Sequence, residues 1–445
     1  MLKLKFKTSF LYLIVFTTLI SGSSCKKEPE ECPWCPQVNS ITPASAPYGD
    51  TVFIKGKYLL PNPNFNDVLQ VKFNGVTVPE EYILENYDDS IRLIIPKGTL
   101  SGPVTVELNE SDGLIGTESA NFEYIYTPAV STFAGNGTNA LVDNADLLNA
   151  SFSNVDDMTI DPVTGVLYVH DLNKIRTASK LNGVRTLQTS TNPAGQMLAC
   201  DNNGKIFFYQ TANYTMRKLD FNTIWNYNHY AGKSNVSGHL DSTLDESTFN
   251  LVLNMKFDYQ NNLIFGDDQF LRKINTTDSV ITRIAGTVYG YQDGPVATAM
   301  FSNVWAVEPL DDGSVYIADY DNHVIRKVKS GQVATIAGIA GQPGSANAPI
   351  GINAQMQLPL SIAFDGNNKL YFIDDATWIR VIDLTTTAVT VAAGDSTNNN
   401  NFGYVDGPPF DARFSYPNKI VFDKQRNILY INDAGNHVIR QITFE

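Results

Sequence analysis

The sequence predicts an all-β chain in which a small antiparallel sandwich is followed by a six-bladed propeller closed by an N-terminal strand. Three observations carry that expectation. From Gln37 to about Tyr126, short apolar and polar runs alternate and are broken by Gly, Pro, Asn and Asp, as in half-buried strands. Beyond Val130 a hydrophobic strand ending in Ala-Gly recurs. An Arg that closes a second strand recurs six times, at Arg176, Arg217, Arg272, Arg326, Arg380 and Arg440, with later spacings close to the roughly 40–50-residue period of a propeller blade.

Residues 1–24 read as a targeting signal. Lys3, Lys5 and Lys7 form a basic start, Phe10 to Ile20 is an apolar run too short to span a bilayer, and Ser21, Gly22, Ser23 and Ser24 precede Cys25. This run resembles a lipobox, which implies that Cys25 is acylated and becomes the first mature residue. The following Lys26-Lys27-Glu28-Pro29-Glu30-Glu31 resembles the surface-export tag of Bacteroidetes-type lipoproteins. The resemblance implies an outer-membrane protein, lipid-anchored and facing the exterior, whose membrane contact is the anchor alone. Residues 25–36 form a tether. Its Cys32-Pro33-Trp34-Cys35 reads as a local disulfide or two free thiols, because a zinc site wants four ligands and a thioredoxin-like motif wants a flanking strand and helix.

Residues 37–127 form the sandwich, with strands expected at Thr51 to Ile54, Leu69 to Phe73, Ile91 to Ile95, Val104 to Leu108 and Ala120 to Tyr124. Val38-Asn39-Ser40-Ile41-Thr42-Pro43, Gly49 to Gly56, Val71 to Val76 and Gly102 to Val106 together resemble an IPT/TIG domain. The resemblance implies an Ig-like spacer or packing module.

Residues 128–445 form the propeller. Its Ala-Gly strands are Val130 to Gly135, Ile281 to Gly286, Val333 to Gly338 and Val389 to Gly394, with Tyr230-Ala231-Gly232 a weaker copy. Val315 to Lys327 resembles an NHL repeat almost throughout, Leu429 to Gln441 is a second good copy, and Leu370 to Val381 is a contracted one. The second unit, Ile206 to Leu219, departs most, with Gln210 in place of an Asp and no clear Ala-Gly end. The last unit stops at Glu445 without an outermost strand, while Val130 to Gly135 stands unpaired before the first. That N-terminal strand is expected to complete the last blade, leaving no open sheet edge.

A formal charge of -14, from 32 Lys and Arg against 46 Asp and Glu, argues against nucleic acid as a partner, since phosphate binding needs clustered cations. Asp171, Asp267, Asp319, Asp374 and Asp433 each precede one of the repeated Arg. One reading makes them a carboxylate ring at the channel mouth, able to hold a cation. The other makes them scaffold acceptors for Arg, and repetition in five units favours it. Of the five His, His323 and His437 share one motif position and His170 precedes a scaffold Asp, which leaves His229 and His239, too few for a metal site; no metal or cofactor is expected.

Aromatic residues break the symmetry. Tyr289, Tyr291, Phe402 and Tyr404 fall on the long loops between units, and Tyr320 and Trp378 on shorter ones of the same face. Such rings can stack on sugars. The expectation is a non-enzymatic, monomeric surface lipoprotein that binds a glycan or a partner protein in a polysaccharide uptake system. Its rivals are a metal-dependent lyase or hydrolase using the channel Asp residues, and an architectural part of an outer-membrane complex.

Overall fold

The computed structural model describes residues 35–47, 50–60, 68–96, 99, 101–109, 120–125, 128–187, 195–220, 226–375, 377–394 and 402–444. The signal run, Cys25 and most of the tether lie outside them. Cys35 is disulfide-bonded. The chain divides into two compact units at Ile125.

The first unit is a sandwich of two sheets. One orders Gln37–Thr42, Thr51–Lys57, Ser90–Ile94 and Ile83–Asn86; the other orders Ser45–Pro47, Asn121–Ile125, Gly102–Asn109, Val68–Phe73 and Val76–Thr77. In Thr51–Lys57 the side chains of Val52 and Ile54 are buried while Phe53 and Lys55 face out, the period of two that an antiparallel sheet with one wet face demands. Val71, Phe73, Ile91, Leu93, Val104, Val106 and Phe122 complete the core, with Phe73 and Phe122 edge to face at 4.8 Å. Asn74 and Gly75 turn the hairpin with φ of 47° and 81°, a left-handed pair that matches strand twist and that Asn-Gly adopts readily.

The second unit holds six antiparallel sheets, each of four principal strands. Blades one to five run outward from Val155–Ile160 to Gly183–Thr186, from Gly195–Cys200 to Asn226–Ala231, from Val252–Phe257 to Val280–Ala285, from Val304–Pro309 to Gln332–Ala337, and from Ile362–Phe364 to Val389–Ala393. Blade six takes Pro417–Asp423, Ile428–Asp433 and Val438–Thr443 from the end of the chain and Ala129–Ala134 from its start. The ring is therefore closed by the N-terminal strand. Ala231 and Gly232 do end blade two; the blade without an Ala-Gly end is blade one, whose outermost strand stops at Thr186.

The innermost strands adjoin one another around the axis, and their polar side chains tie neighbouring blades together. Asp157 Oδ2 accepts the N–H of Leu198 at 2.7 Å, Asn254 Oδ1 that of Val307 at 3.1 Å, and Ser361 Oγ that of Ile420 at 3.1 Å. The acceptors stand at one register position in alternate blades, so the sixfold ring carries a threefold clasp. Lys419 lies 2.6 Å from Asp157 and Lys256 pairs with Glu308, which places compensated charge within the ring. Burial pushes the Lys419 ammonium below its ordinary pKa, and Asp157 opposes that shift.

Candidate functional site

Antiparallel blades send the turns between their second and third strands, and the connections between blades, to one face. The repeated Asp residues end the second strands at that face. Asp171, Asp267, Asp319, Asp374 and Asp433 are fully buried, as are Arg176, Arg272, Arg326, Arg380 and Arg440 on the third strands. Each Arg Nη1 donates to the Asp of its own blade, at 2.7 Å for Asp171, Asp267 and Asp319 and at 2.9 Å for Asp433; Arg380 and Asp374 make the same contact. The carboxylates also accept backbone N–H groups of the incoming connection, as Asp267 does from Asn250 and Leu251. Burial raises the Asp374 and Asp433 carboxyls to about 6, against the lowering pull of their Arg partners. No face of these carboxylates is open at a channel mouth.

A second acceptor set closes each cage. The connections deliver Asp143, Asp241, Asp293 and Asp406 to Arg176, Arg272, Arg326 and Arg440, while Asn347 serves Arg380 at 3.0 Å. The four Asp each stand eight or nine residues before a buried Phe, at positions 152, 249, 301 and 414, and that spacing was the available sequence signal. Backbone carbonyls fill the remaining guanidinium directions, for example Met300 O and Gln292 O around Arg326. Arg217 is the exception: it is half-buried, and its Nε–H donates at 3.2 Å to Gln210.

The aromatic candidates separate into three groups. Trp378 is not a loop residue. It opens the strand Trp378–Asp383 opposite Asp374 and is 4% exposed, so the expectation of a surface platform there is corrected: as the first residue of a buried strand it carries its indole into the blade. Tyr291 and Tyr404 occupy one repeated position and roof the Arg cages. Arg326 lies 4.8 Å from the Tyr291 centroid and Arg440 5.1 Å from that of Tyr404, and their hydroxyls bond to Thr335 and Thr132. The outer faces of these two rings remain exposed, whereas Tyr289, Tyr320 and Phe402 lie over no guanidinium among the described residues. Tyr289 is 63% exposed, and its hydroxyl donates to Asp321 at 2.7 Å, a bond that pushes the phenol up to about 12. Phe402 stacks on Tyr416 at 4.7 Å.

Tyr320 has a partner that the repeat pattern concealed. Its ring stacks on Trp305 at 4.2 Å and 22°, both half-buried. Trp305 is the bulged residue at the start of blade four's innermost strand, where the register shifts between Val304 and Ala306. A bulge re-aims a side chain out of the alternation, and it does so here at the end of a strand that lines the ring. The neighbouring Asn303 Oδ1 is buried with no hydrogen-bond partner among the described residues.

One trio of possible metal ligands stands together among the described residues. His239 Nε2 is 2.7 Å from Asp268 and 3.8 Å from Asp267. Asp267 is already held by Arg272 and two backbone N–H groups, which leaves one imidazole and one carboxylate, fewer than a metal site needs. His323 and His437 both end short turns in the left-handed region, at φ 58° and 55°. His229 lies 3.2 Å from Asp245. On the opposite face a groove of about 320 Å3 runs between blades three and four, lined by aliphatic and polar side chains alike, and its Lys329 is paired with Asp312 at 2.6 Å. A cavity of about 140 Å3 drawn from all six blades sits in the ring itself, below the usual size for an organic ligand.

Residues 36–124 match the IPT/TIG domain family. Over 238 residues the chain is 26% identical to NHL repeat-containing protein 2 of Bos taurus, covering 46% of this chain and 32% of that one. It is 28% identical to the Homo sapiens protein of that name over 141 residues, 29% of this chain and 19% of that one. The chain thus spans a third or less of the curated relatives it matches. Among solved structures it resembles an auxiliary nutrient binding protein from Bacteroides ovatus, at 19% identity and a TM-score of 0.65 over 92% of this chain and 98% of that one. An auxiliary nutrient binding protein from Bacteroides thetaiotaomicron gives 17% identity and a TM-score of 0.58 over 92% and 98%. At these identities the likeness is one of fold.

Proposed function

We propose that the chain is a non-enzymatic binding protein of the bacterial surface that holds a saccharide on the loop face of its propeller. The observation that carries this reading is the Trp305–Tyr320 stack, a half-buried aromatic platform at the inner end of blade four. Such a platform suits the C–H face of a pyranose ring, and Asp321 next to Tyr320 offers a carboxylate acceptor for hydroxyl groups. The nutrient-binding description of the two Bacteroides proteins that share the fold supports the same role. The five buried Asp weigh against a hydrolase or lyase, because every one is committed to an Arg.

Lipid anchoring through Cys25, an outer-membrane location and service in polysaccharide uptake belong to this proposal and rest on the N-terminal sequence. Calorimetric titration of the protein with neutral oligosaccharides tests the binding role. Binding that weakens several-fold in Trp305→Ala supports it. No binding to any saccharide would favour an architectural role or a protein ligand, and chelator-sensitive turnover would favour the enzyme.

A further inference from the structure

Blade two lacks both carboxylates that neutralise the Arg in four other blades, and also the single one, Asp374, that remains in blade five. Gln210 stands where the five other blades carry a second-strand Asp; its amide oxygen accepts the Nε–H that a loop Asp takes elsewhere, and it does so without compensating charge. The connection into this blade runs only from Thr186 to Gly195, and residues 188–194 contain no Asp or Glu. The guanidinium of Arg217 lies over the ring of Tyr227, 5.9 Å from its centroid. Among the described residues it pairs with no carboxylate.

The other blades show what would fill the place. One oxygen of Asp293 accepts from Nε and Nη2 of Arg326, at 2.9 and 2.6 Å, and the other accepts the backbone N–H of Thr335 at 2.9 Å. Asp143 does the same between Arg176 and Thr186, Asp241 between Arg272 and Arg283, and Asp406 between Arg440 and Thr132. In each case the donor strand residue is the one directly opposite the Arg. Opposite Arg217 stands His229, through the same register shift that sets Thr335 opposite Arg326.

We propose that Arg217 and the peptide N–H of His229 form a carboxylate-binding position on the loop face of blade two, which takes the carboxylate of a uronate residue in an acidic saccharide. The carboxylate occupies the place that an internal Asp fills in four other blades. That the carboxylate belongs to a sugar rests on the saccharide-binding reading; the anion position itself does not.

An oligogalacturonate and the same oligomer with its carboxylates reduced to alcohols differ in that group alone. Titrated into the full chain, the acidic oligomer is expected to bind roughly tenfold more tightly, as charge-assisted hydrogen bonds warrant. Arg217→Ala should abolish the preference, and Arg217→Lys, which keeps the cation but not the planar fork of N–H donors, should reduce it while leaving the fold supported. Equal binding of the two oligomers, or a preference that survives Arg217→Ala, overturns the proposal and leaves the saccharide reading standing. If neither oligomer binds, the saccharide reading fails, and the Arg217 Nε–H resonance then decides the anion position. A shift with free galacturonate and not with galactose upholds it, and identical responses overturn it.

Discussion

Val130 pairs with Ile442, so the first strand of the propeller is the outer edge of a sheet whose other three strands are the last of the chain. The contact is more than a ladder. Phe133 packs edge to face on Tyr430 at 4.8 Å, and the Thr132 N–H caps Asp406 in the cage of Arg440. Deleting Val130 to Gly135 opens the ring, bares the edge of Val438–Thr443 and uncaps a buried ion pair. The melting temperature of the propeller should fall far more than when residues 37–125, a separate compact unit, are removed. Thermal melts of the two truncations check this, and equal propeller melting in both would contradict it.

Arg326 and Arg217 occupy the same place in their blades and should respond differently to truncation. Arg326→Ala strips the compensating charge from buried Asp319 and is expected to cost about 3–5 kcal/mol. Arg217→Ala removes a half-exposed cation with a neutral partner and should cost under about 1 kcal/mol. Shifts of the denaturant midpoint in the two variants measure the difference.

The sandwich, the blade number and the closing strand were legible because each rests on local periodicity: alternation in Thr51–Lys57, the repeated Arg, and the unpaired Val130 run. The site was less legible. Asp143, Asp241, Asp293 and Asp406 lie more than thirty residues from the Arg they serve, within loops whose sequences differ, so only their spacing to a later Phe ties them together. Trp305 lies between buried Val304 and Ala306 at a bulge that other innermost strands repeat, and nothing in the sequence shows that its ring meets Tyr320. Trp378 errs the other way. It looked like a turn residue because the contracted turn after Asp374 hid where the next strand begins.

His323 and His437 share a backbone conformation and use Nδ1 in opposite senses. The Leu358 N–H donates to Nδ1 of His323 at 3.2 Å, whereas Nδ1 of His437 lies 2.7 Å from the carbonyl of Ser153, which calls for a donor. Burial lowers the His323 pKa below 6.5, and Asp321 offsets it only in part. A folded value below the unfolded one means that the unfolded chain takes up the proton first. The stability from this site is therefore full above the unfolded value and lost as pH falls through the folded one. Relative to His323→Asn, which keeps a left-handed residue without the titration, the unaltered protein should lose stability as pH falls below about 6.5, read as the difference between the two unfolding midpoints across pH.

Cys25 is the only thiol in the lipobox-like run. If that run is read as a lipoprotein signal, Cys25→Ala leaves an unprocessed precursor or releases the protein from membranes. Labelling with a fatty-acid analogue should be lost in the variant; label that persists would remove the anchor from the proposal.

The aromatic residues of the loop face should divide by what lies beneath them. Trp305 and Tyr320 rest on each other, so Trp305→Ala or Tyr320→Ala is expected to weaken saccharide binding several-fold, a stacking contact being worth on the order of 1 kcal/mol, with a small change in the melt. Tyr291 and Tyr404 roof buried guanidinium groups and bond to Thr335 and Thr132. Tyr291→Ala or Tyr404→Ala should therefore lower stability by about 1–2 kcal/mol through lost cation–π contact and water entry, and leave affinity nearly unchanged. Tyr289→Phe removes only the bond to Asp321 and should alter binding if Asp321 meets the ligand, since it frees that carboxylate. Calorimetry and melts on this panel read the two effects separately. Affinity lost at Tyr291 and Tyr404 but kept at Trp305 would move the site from the inner end of blade four to the roofs of the cages.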